Sequence, residues 1–221
     1  MAEPKRFIAL AGNIGAGKTT AAKTISRELG YELFDEPVID NRFLRLYYGD
    51  MRRWSFTLQL EFLIRRVEHH ELIATVPKSS VQDRTLYEDP EIFAKYLHGL
   101  GHMTGDELDL YFEYFERLAR SLHEPDLVVM LDGAGPDDLL GRIRKRGRKE
   151  EQGIPADFLR GLSGYYLSFP MVMREKYHLP VVSFDIKEND IRSAKGKKLL
   201  LDTVTGALDA APGPRAVTEG G

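Results

Sequence analysis

Gly12-Asn13-Ile14-Gly15-Ala16-Gly17-Lys18-Thr19 satisfies the pattern GxxxxGK[ST] at every fixed position. The chemistry this spacing serves is phosphate binding. Glycines let successive backbone N–H groups converge on a phosphate chain, and a helix opening at the loop adds a favourable field. Gly12, Asn13, Gly15, Ala16, Gly17, Lys18, Thr19 and Thr20 are therefore expected to hold a nucleotide. Lys18 would reach its β- and γ-phosphates, and the Thr19 hydroxyl would ligate Mg²⁺. The competing reading is a glycine-rich turn without chemistry. The complete motif, with an apolar strand pattern before it and a helical pattern after it, argues against that. ATP is the expected donor, but GTPases, ATPases and kinases share the loop, so the reaction must be read from other residues.

Several other residues have types suited to phosphoryl transfer. Glu36 follows the second strand pattern, where an α/β sheet gathers its ligands. A carboxylate there can take the proton of an attacking alcohol, or it is simply a turn residue before Pro37. Asp83-Arg84-Thr85 ends the third strand pattern: Asp83 suits Mg²⁺, and Arg84 suits the charge on a transferred phosphoryl group. A surface ion pair is the plainer alternative. Gln59 and Arg66 lie seven residues apart on one helix face, with Phe62 and Leu63 beside them, which also describes an ordinary amphipathic edge. Asp89 before Pro90 reads as a helix N-cap followed by its first residue. Arg142, Arg144, Lys145, Arg146, Arg148 and Lys149 put six cations in eight residues and run into Glu150-Glu151. Arg142 and Arg146 share a face one turn apart and can clamp phosphates, while Arg148 follows the flexible Gly147. Arg144 and Lys145 are explained by a solvated helix C-terminus.

The elements that must position these residues alternate. Strands are expected at Arg6–Ala11, Tyr31–Phe34, Ser79–Asp83, Asp126–Asp132 and Leu179–Phe184, with apolar runs continuous enough to be covered on both faces. Helices are expected at Lys18–Leu29, Trp54–Ala74, Pro90–Leu100, Thr104–Leu122, Asp137–Arg146 and Pro155–Tyr177, with Thr104 and Glu107 forming a capping box. This alternation predicts a doubly wound α/β fold with a parallel sheet and helices on both faces. Residues 1–205 are expected as one domain with an arginine-rich lid at about 142–155, and 206–221, rich in Ala, Gly and Pro, as a tail with little to bury. The aromatic run Tyr111, Phe112, Tyr114, Phe115 suits core or subunit packing.

The bulk composition excludes several classes. A net charge of −3 argues against a general nucleic-acid binder. With no cysteine, disulfides and thiolate metal sites are excluded, and the six histidines show no metal-ligand spacing. No apolar run approaches membrane-spanning length, and the first residues do not resemble a signal peptide, so a cytoplasmic location is the expectation.

Taken together, GNIGAGKTT, Glu36-Pro37-Val38, Trp54–Gln59 (WSFTLQ), Asp83–Asp89 (DRTLYED) and Arg146–Pro155 (RGRKEEQGIP) resemble the deoxynucleoside kinase family, its bacterial branch in particular. These motifs occur in the family's order and span most of residues 5–190. The resemblance implies a P-loop kinase with a five-stranded parallel sheet, ATP and Mg²⁺, a deoxynucleoside acceptor and a homodimer. It implies that Glu36 is the base for the 5′-hydroxyl, with a place among the Mg²⁺ candidates beside Thr19 and Asp83. Arg84 would bridge the attacking oxygen and the phosphoryl group. Gln59 and Phe62 would meet the base, with Arg66 coupled to the carboxylate of Asp89. Tyr48 and Glu151 would contact the sugar 3′-hydroxyl, although the adjacent Tyr47 is an alternative. Thr85 departs from the serine usual at its position. The loop Asp185–Asp190 resembles the family segment around ATP's adenine, but its composition differs enough that no side chain is assigned there.

A carboxylate favours an exocyclic amine, glutamine can grip adenine and arginine can donate to guanine O6. Deoxyadenosine, deoxyguanosine or deoxycytidine is therefore expected over thymidine. Two rivals remain at this point: a nucleoside monophosphate kinase of the thymidylate kinase type, and a nucleotide-binding protein without turnover.

Overall fold

The computed structural model describes residues 5–35, 42–148, 151 and 153–211. The chain divides into two compact units, one holding residues 5–35, 77–85 and 124–211, the other residues 42–76 and 86–123.

The first unit is built on five parallel strands, β1 (Phe7–Ala11), β2 (Glu32–Phe34), β3 (Ser80–Asp83), β4 (Leu127–Asp132) and β5 (Val181–Asp185), in the order β2-β3-β1-β4-β5. Every residue of β1 is buried, as its uninterrupted apolar run requires of a strand covered on both faces. Ile8, Leu10, Val81, Val129 and Leu131 meet Ala21 and Ile25 of α1 (Lys18–Leu29) and Leu200 and Val204 of α8 (Ala194–Ala210) in one core cluster. α1 stops at Gly30, whose φ of 72° lets its N–H turn back to the Ser26 carbonyl. α6 (Pro136–Arg146) opens with Pro136, Asp137 and Asp138 in its first turn and closes at Gly147. α7 (Ala156–Glu175) completes this unit and continues through Pro170.

The second unit is helical: α2 (Leu44–Gly49), α3 (Met51–Thr75), a π-helical turn over Asp89–Ala94 that runs into α4 (Lys95–Gly99), and α5 (Gly105–Ala119). Asp50 caps α3 by accepting from the Arg53 N–H at 3.1 Å, so this helix begins three residues before the expected Trp54. The capping box at Thr104 and Glu107 forms as expected. α3 buries Gln59, Glu61 and Arg66 together with Leu58, Leu63 and Val67. That polar content is costly inside a protein unless each group has a use.

Three expectations need correction. Asp89 is not the cap of its helix: Glu88 holds that position, Asp89 is the first helical residue and Pro90 the second. α2 and α8 were not anticipated. α8 starts with lysines that hide its apolar spacing, yet Ser193 caps it by accepting from the Gly196 N–H at 2.9 Å. The tail expected from residue 206 does not start there, because Gly206–Ala210 are helical and Leu208 is buried. Residues 212–221 lie outside the described residues. No helix among the described residues is long and apolar enough to cross a membrane.

Candidate active site

The phosphate loop turns between β1 and α1. Gly12 and Gly15 are required by both conformation and space. Their φ angles are 148° and 85°, and a Cβ at either would sit 2.8 Å from a backbone carbonyl oxygen, that of Leu131 and of Leu139 respectively. Gly17 occupies the N-cap of α1 and provides no side-chain cap. The first amides of the helix are therefore directed into the loop, as an anion site requires. Ala16 is buried and donates its N–H to the Asn13 carbonyl at 3.0 Å, while Thr20 is exposed on the first turn of α1. Lys18 is buried, and its ammonium donates to the carbonyls of Gly12 at 2.7 Å and Asn13 at 3.2 Å. Its charge is thus held across the loop in a fixed position.

The Thr19 hydroxyl donates to Asp83 Oδ2 at 2.5 Å, so α1 and the end of β3 bring a hydroxyl and a carboxylate together beside the loop. Both are hard oxygen donors of the kind Mg²⁺ takes, and the pair fits that ion. The next residue, Arg84, has φ 82°, a left-handed backbone that a long side chain adopts at a cost of about 1–3 kcal/mol. Its guanidinium donates to the Tyr166 hydroxyl at 3.3 Å, with both residues buried. No sequence signal connected Tyr166 to the site, since 82 residues separate the two.

The basic segment is placed differently from the expectation that Arg142, Arg146 and Arg148 turn to phosphates. Arg142 donates to the Ile186 carbonyl at 3.2 Å. Arg146 hydrogen-bonds Glu151, and Arg148 lies 3.6 Å from the same carboxylate. Glu151, expected at the sugar, is thus paired with two residues expected at the triphosphate. Glu36, the expected base, lies outside the described residues, as do Lys149 and Glu150.

The helical unit gathers the residues expected at the base. Arg66 Nε donates to Asp89 Oδ2 at 2.5 Å, and Gln59 is buried beside Leu58 and Leu63 on the same helix. Gln59 Oε1 is buried and has no hydrogen-bond partner among the described residues. An unsatisfied buried acceptor is expensive and needs an explanation, and an incoming donor is the natural one. Tyr111 of α5 donates its hydroxyl to the Gln59 carbonyl at 3.4 Å. Burial, with the Asp89 charge added, holds its phenol well above the ordinary range, so it remains a neutral donor. Phe62 is half-buried on α3. Tyr48 is 48% exposed, whereas Tyr47 is buried, and its phenol is pushed up to about 12 by burial and by the neighbouring Tyr48 and Tyr96. Of this pair, Tyr48 is the one whose ring a ligand can reach. In the aromatic run, Tyr111 and Phe115 are core residues, while Tyr114 is exposed.

Comparison with known proteins identifies the family of the chain. The family model described as deoxynucleoside kinase matches residues 8–207. A deoxyadenosine kinase of Dictyostelium discoideum is 34% identical over 181 residues, covering 82% of this chain and 72% of that protein. A deoxyadenosine/deoxycytidine kinase of Bacillus subtilis is 37% identical over 147 residues, covering 66% of this chain and 67% of its own length. Among solved structures, the deoxyadenosine kinase from M. mycoides with the products dCMP and a flexible dCDP superposes with a TM-score of 0.78 at 30% identity, covering 90% of this chain and 99% of that one. The match runs through the phosphate loop, the strand carrying Asp83 and Arg84 and the helix carrying Gln59 and Arg66, and the chain belongs to the deoxynucleoside kinase family as an enzyme that phosphorylates nucleosides.

Proposed function

We propose that the chain transfers the γ-phosphoryl group of ATP to the 5′-hydroxyl of deoxyadenosine, deoxyguanosine or deoxycytidine, in preference to thymidine. The observation that carries this reading is the buried Arg66–Asp89 pair together with Gln59, which is buried on the helix that carries Arg66 and whose Oε1 has no partner among the described residues. Together they form an acceptor-rich, hydrogen-bonding end for a base with an exocyclic amine. Thymine has no such amine and carries a methyl group instead. The relatives named for deoxyadenosine and deoxycytidine support two of these substrates.

In the transfer, the 5′-oxygen attacks the γ-phosphorus as its proton passes to the Glu36 carboxylate. The bond from that phosphorus to the β–γ bridging oxygen breaks, releasing ADP and the nucleoside monophosphate. Lys18 and the amides of residues 12–20 hold the triphosphate, and Arg84 stabilises charge on the phosphoryl oxygens in flight. Thr19 and Asp83, with Glu36 nearby in role, would hold Mg²⁺, which offsets phosphate charge when bound. Arg142, Arg146 and Arg148 act as a lid over the phosphates, with Arg146 and Arg148 exchanging the Glu151 contact for the nucleotide as Glu151 turns to the 3′-hydroxyl.

The enzyme acts in the cytoplasm as a homodimer. Ile64 and Leu72 on α3 and Leu110 and Tyr114 on α5 are exposed apolar positions on neighbouring helices and support self-association, which sedimentation velocity tests.

A labelled-ATP assay across the four common deoxynucleosides and their monophosphates, with Glu36→Gln alongside, tests the reading. Glu36→Gln is expected to lower kcat by about 10² to 10⁴ with little change in nucleoside binding. Equal turnover of thymidine would remove the base preference. Activity confined to monophosphates would replace the acceptor altogether.

A further inference from the structure

Two functional elements that are distant in the chain are fastened to one face of α7. Asn13 Nδ2 of the phosphate loop donates to the Leu159 carbonyl at 3.1 Å and to Ser163 Oγ at 3.0 Å. The Ser163 hydroxyl itself donates to the Leu159 carbonyl at 2.8 Å, so its lone pair faces Asn13. The other end of the Asn13 amide accepts the Ile14 N–H at 2.7 Å, which locks the loop residue in orientation. One turn further along α7, the Tyr166 hydroxyl receives the Arg84 guanidinium. Positions 159, 163 and 166 follow the i, i+4, i+7 spacing of a single helical face.

Arg84 has particular need of such an anchor. Its left-handed backbone is costly and persists only where surrounding contacts hold it. Tyr166 is suited to this. Its ring is buried and packs edge-on against Phe169, with ring centres 6.2 Å apart, so the hydroxyl is carried on a rigid support. A phenol is also neutral. It can orient a guanidinium without itself offsetting the positive charge, as a carboxylate would.

We propose that Tyr166 is a positioning residue for Arg84, and that α7, through Tyr166 and Ser163, holds Arg84 and the phosphate loop in one fixed relation. This rests on the role proposed above for Arg84. It assigns to α7, which directly follows the basic segment, the task of aligning the donor loop with the group that meets the transferred phosphoryl.

The test is a double-mutant cycle on the full-length enzyme with Tyr166→Phe, Arg84→Ala and the pair, reading kcat, both KM values, binding of a non-hydrolysable ATP analogue and the melting temperature. Tyr166→Phe removes one oxygen and keeps the ring. It is expected to lower kcat about tenfold while both KM values and analogue binding hold. In the Arg84→Ala background it should add nothing further, because the group it aims is gone. A loss of fold would appear as weakened analogue binding and would multiply through the cycle. Wild-type kcat in Tyr166→Phe, or effects that multiply in the pair, overturn the positioning role and leave that of Arg84 intact. Near-wild-type kcat in Arg84→Ala removes the role of Arg84 and this proposal with it.

Discussion

Arg66 and Asp89 stand 23 residues apart in the chain, yet their side chains meet at 2.5 Å with 5% and 2% of their surfaces exposed. One comes from the middle of α3, the other from the first position of the π-helical turn before α4. Such turns are enriched at functional sites, where they displace a side chain from the register a regular helix would give it. Here the displaced residue is a carboxylate aimed at a guanidinium.

Breaking this pair on one side takes a buried counter-ion from the other. Asp89→Ala should lower unfolding free energy by about 3–5 kcal/mol in urea titrations, whereas Arg66→Met with Asp89→Leu should recover much of that loss. Neither variant should retain nucleoside phosphorylation, and both should still bind an ATP analogue, because the phosphate loop belongs to the other unit. Retained discrimination among bases in the double variant would remove the pair from base recognition.

Asp83 faces the Thr19 hydroxyl at the mouth of the loop. Replacing one carboxylate oxygen by an amide weakens a hard-cation ligand while keeping the side-chain shape. Asp83→Asn is expected to raise the Mg²⁺ concentration for half-maximal rate by about ten- to a hundredfold with its melting temperature nearly unchanged. Chelation should stop turnover in the parent enzyme. A variant titrating with Mg²⁺ as the parent does would exclude Asp83 from the metal's surroundings.

Asp132 ends β4 in register with Asp185 of β5. Burial raises its carboxyl above the ordinary 3.8, and Asp185 adds to this, against a lowering hydrogen bond from Ser183. A carboxyl raised in the folded state costs nothing below its unfolded value, because it is protonated in both states. The cost grows as pH rises from about 3.8 through the folded value and then stays constant. Asp132→Asn keeps the shape and an acceptor for Ser183, so it should melt at a higher temperature than the parent at pH 7. The gain should vanish as the pH falls below about 3.8. Melting curves over that range decide it, and a gain that persists at low pH would trace the effect to packing instead.

The phosphate loop was legible because its determinants are contiguous: glycine types set the backbone, and the backbone alone makes the anion site. The central strands β1 and β4 were legible because strands covered on both faces carry near-continuous apolar runs. α8 was not, since Lys195, Lys197 and Lys198 break its apolar spacing before Leu200, Val204 and Leu208 restore it on the buried side. The partnership of Arg66 with Asp89 came from resemblance, because residues 23 apart have no local signature of contact.

Tertiary structure alone decided which groups orient the reactive ones. Arg84 meets Tyr166 across 82 residues and Asn13 meets Ser163 across 150, and neither pair follows any periodicity. Tertiary structure also gave Arg84 a backbone that no propensity favours. The physical reason is one of range. Local sequence controls the backbone torsions of a loop or helix, whereas the direction of a long polar side chain depends on whatever donor or acceptor the folded chain carries to it.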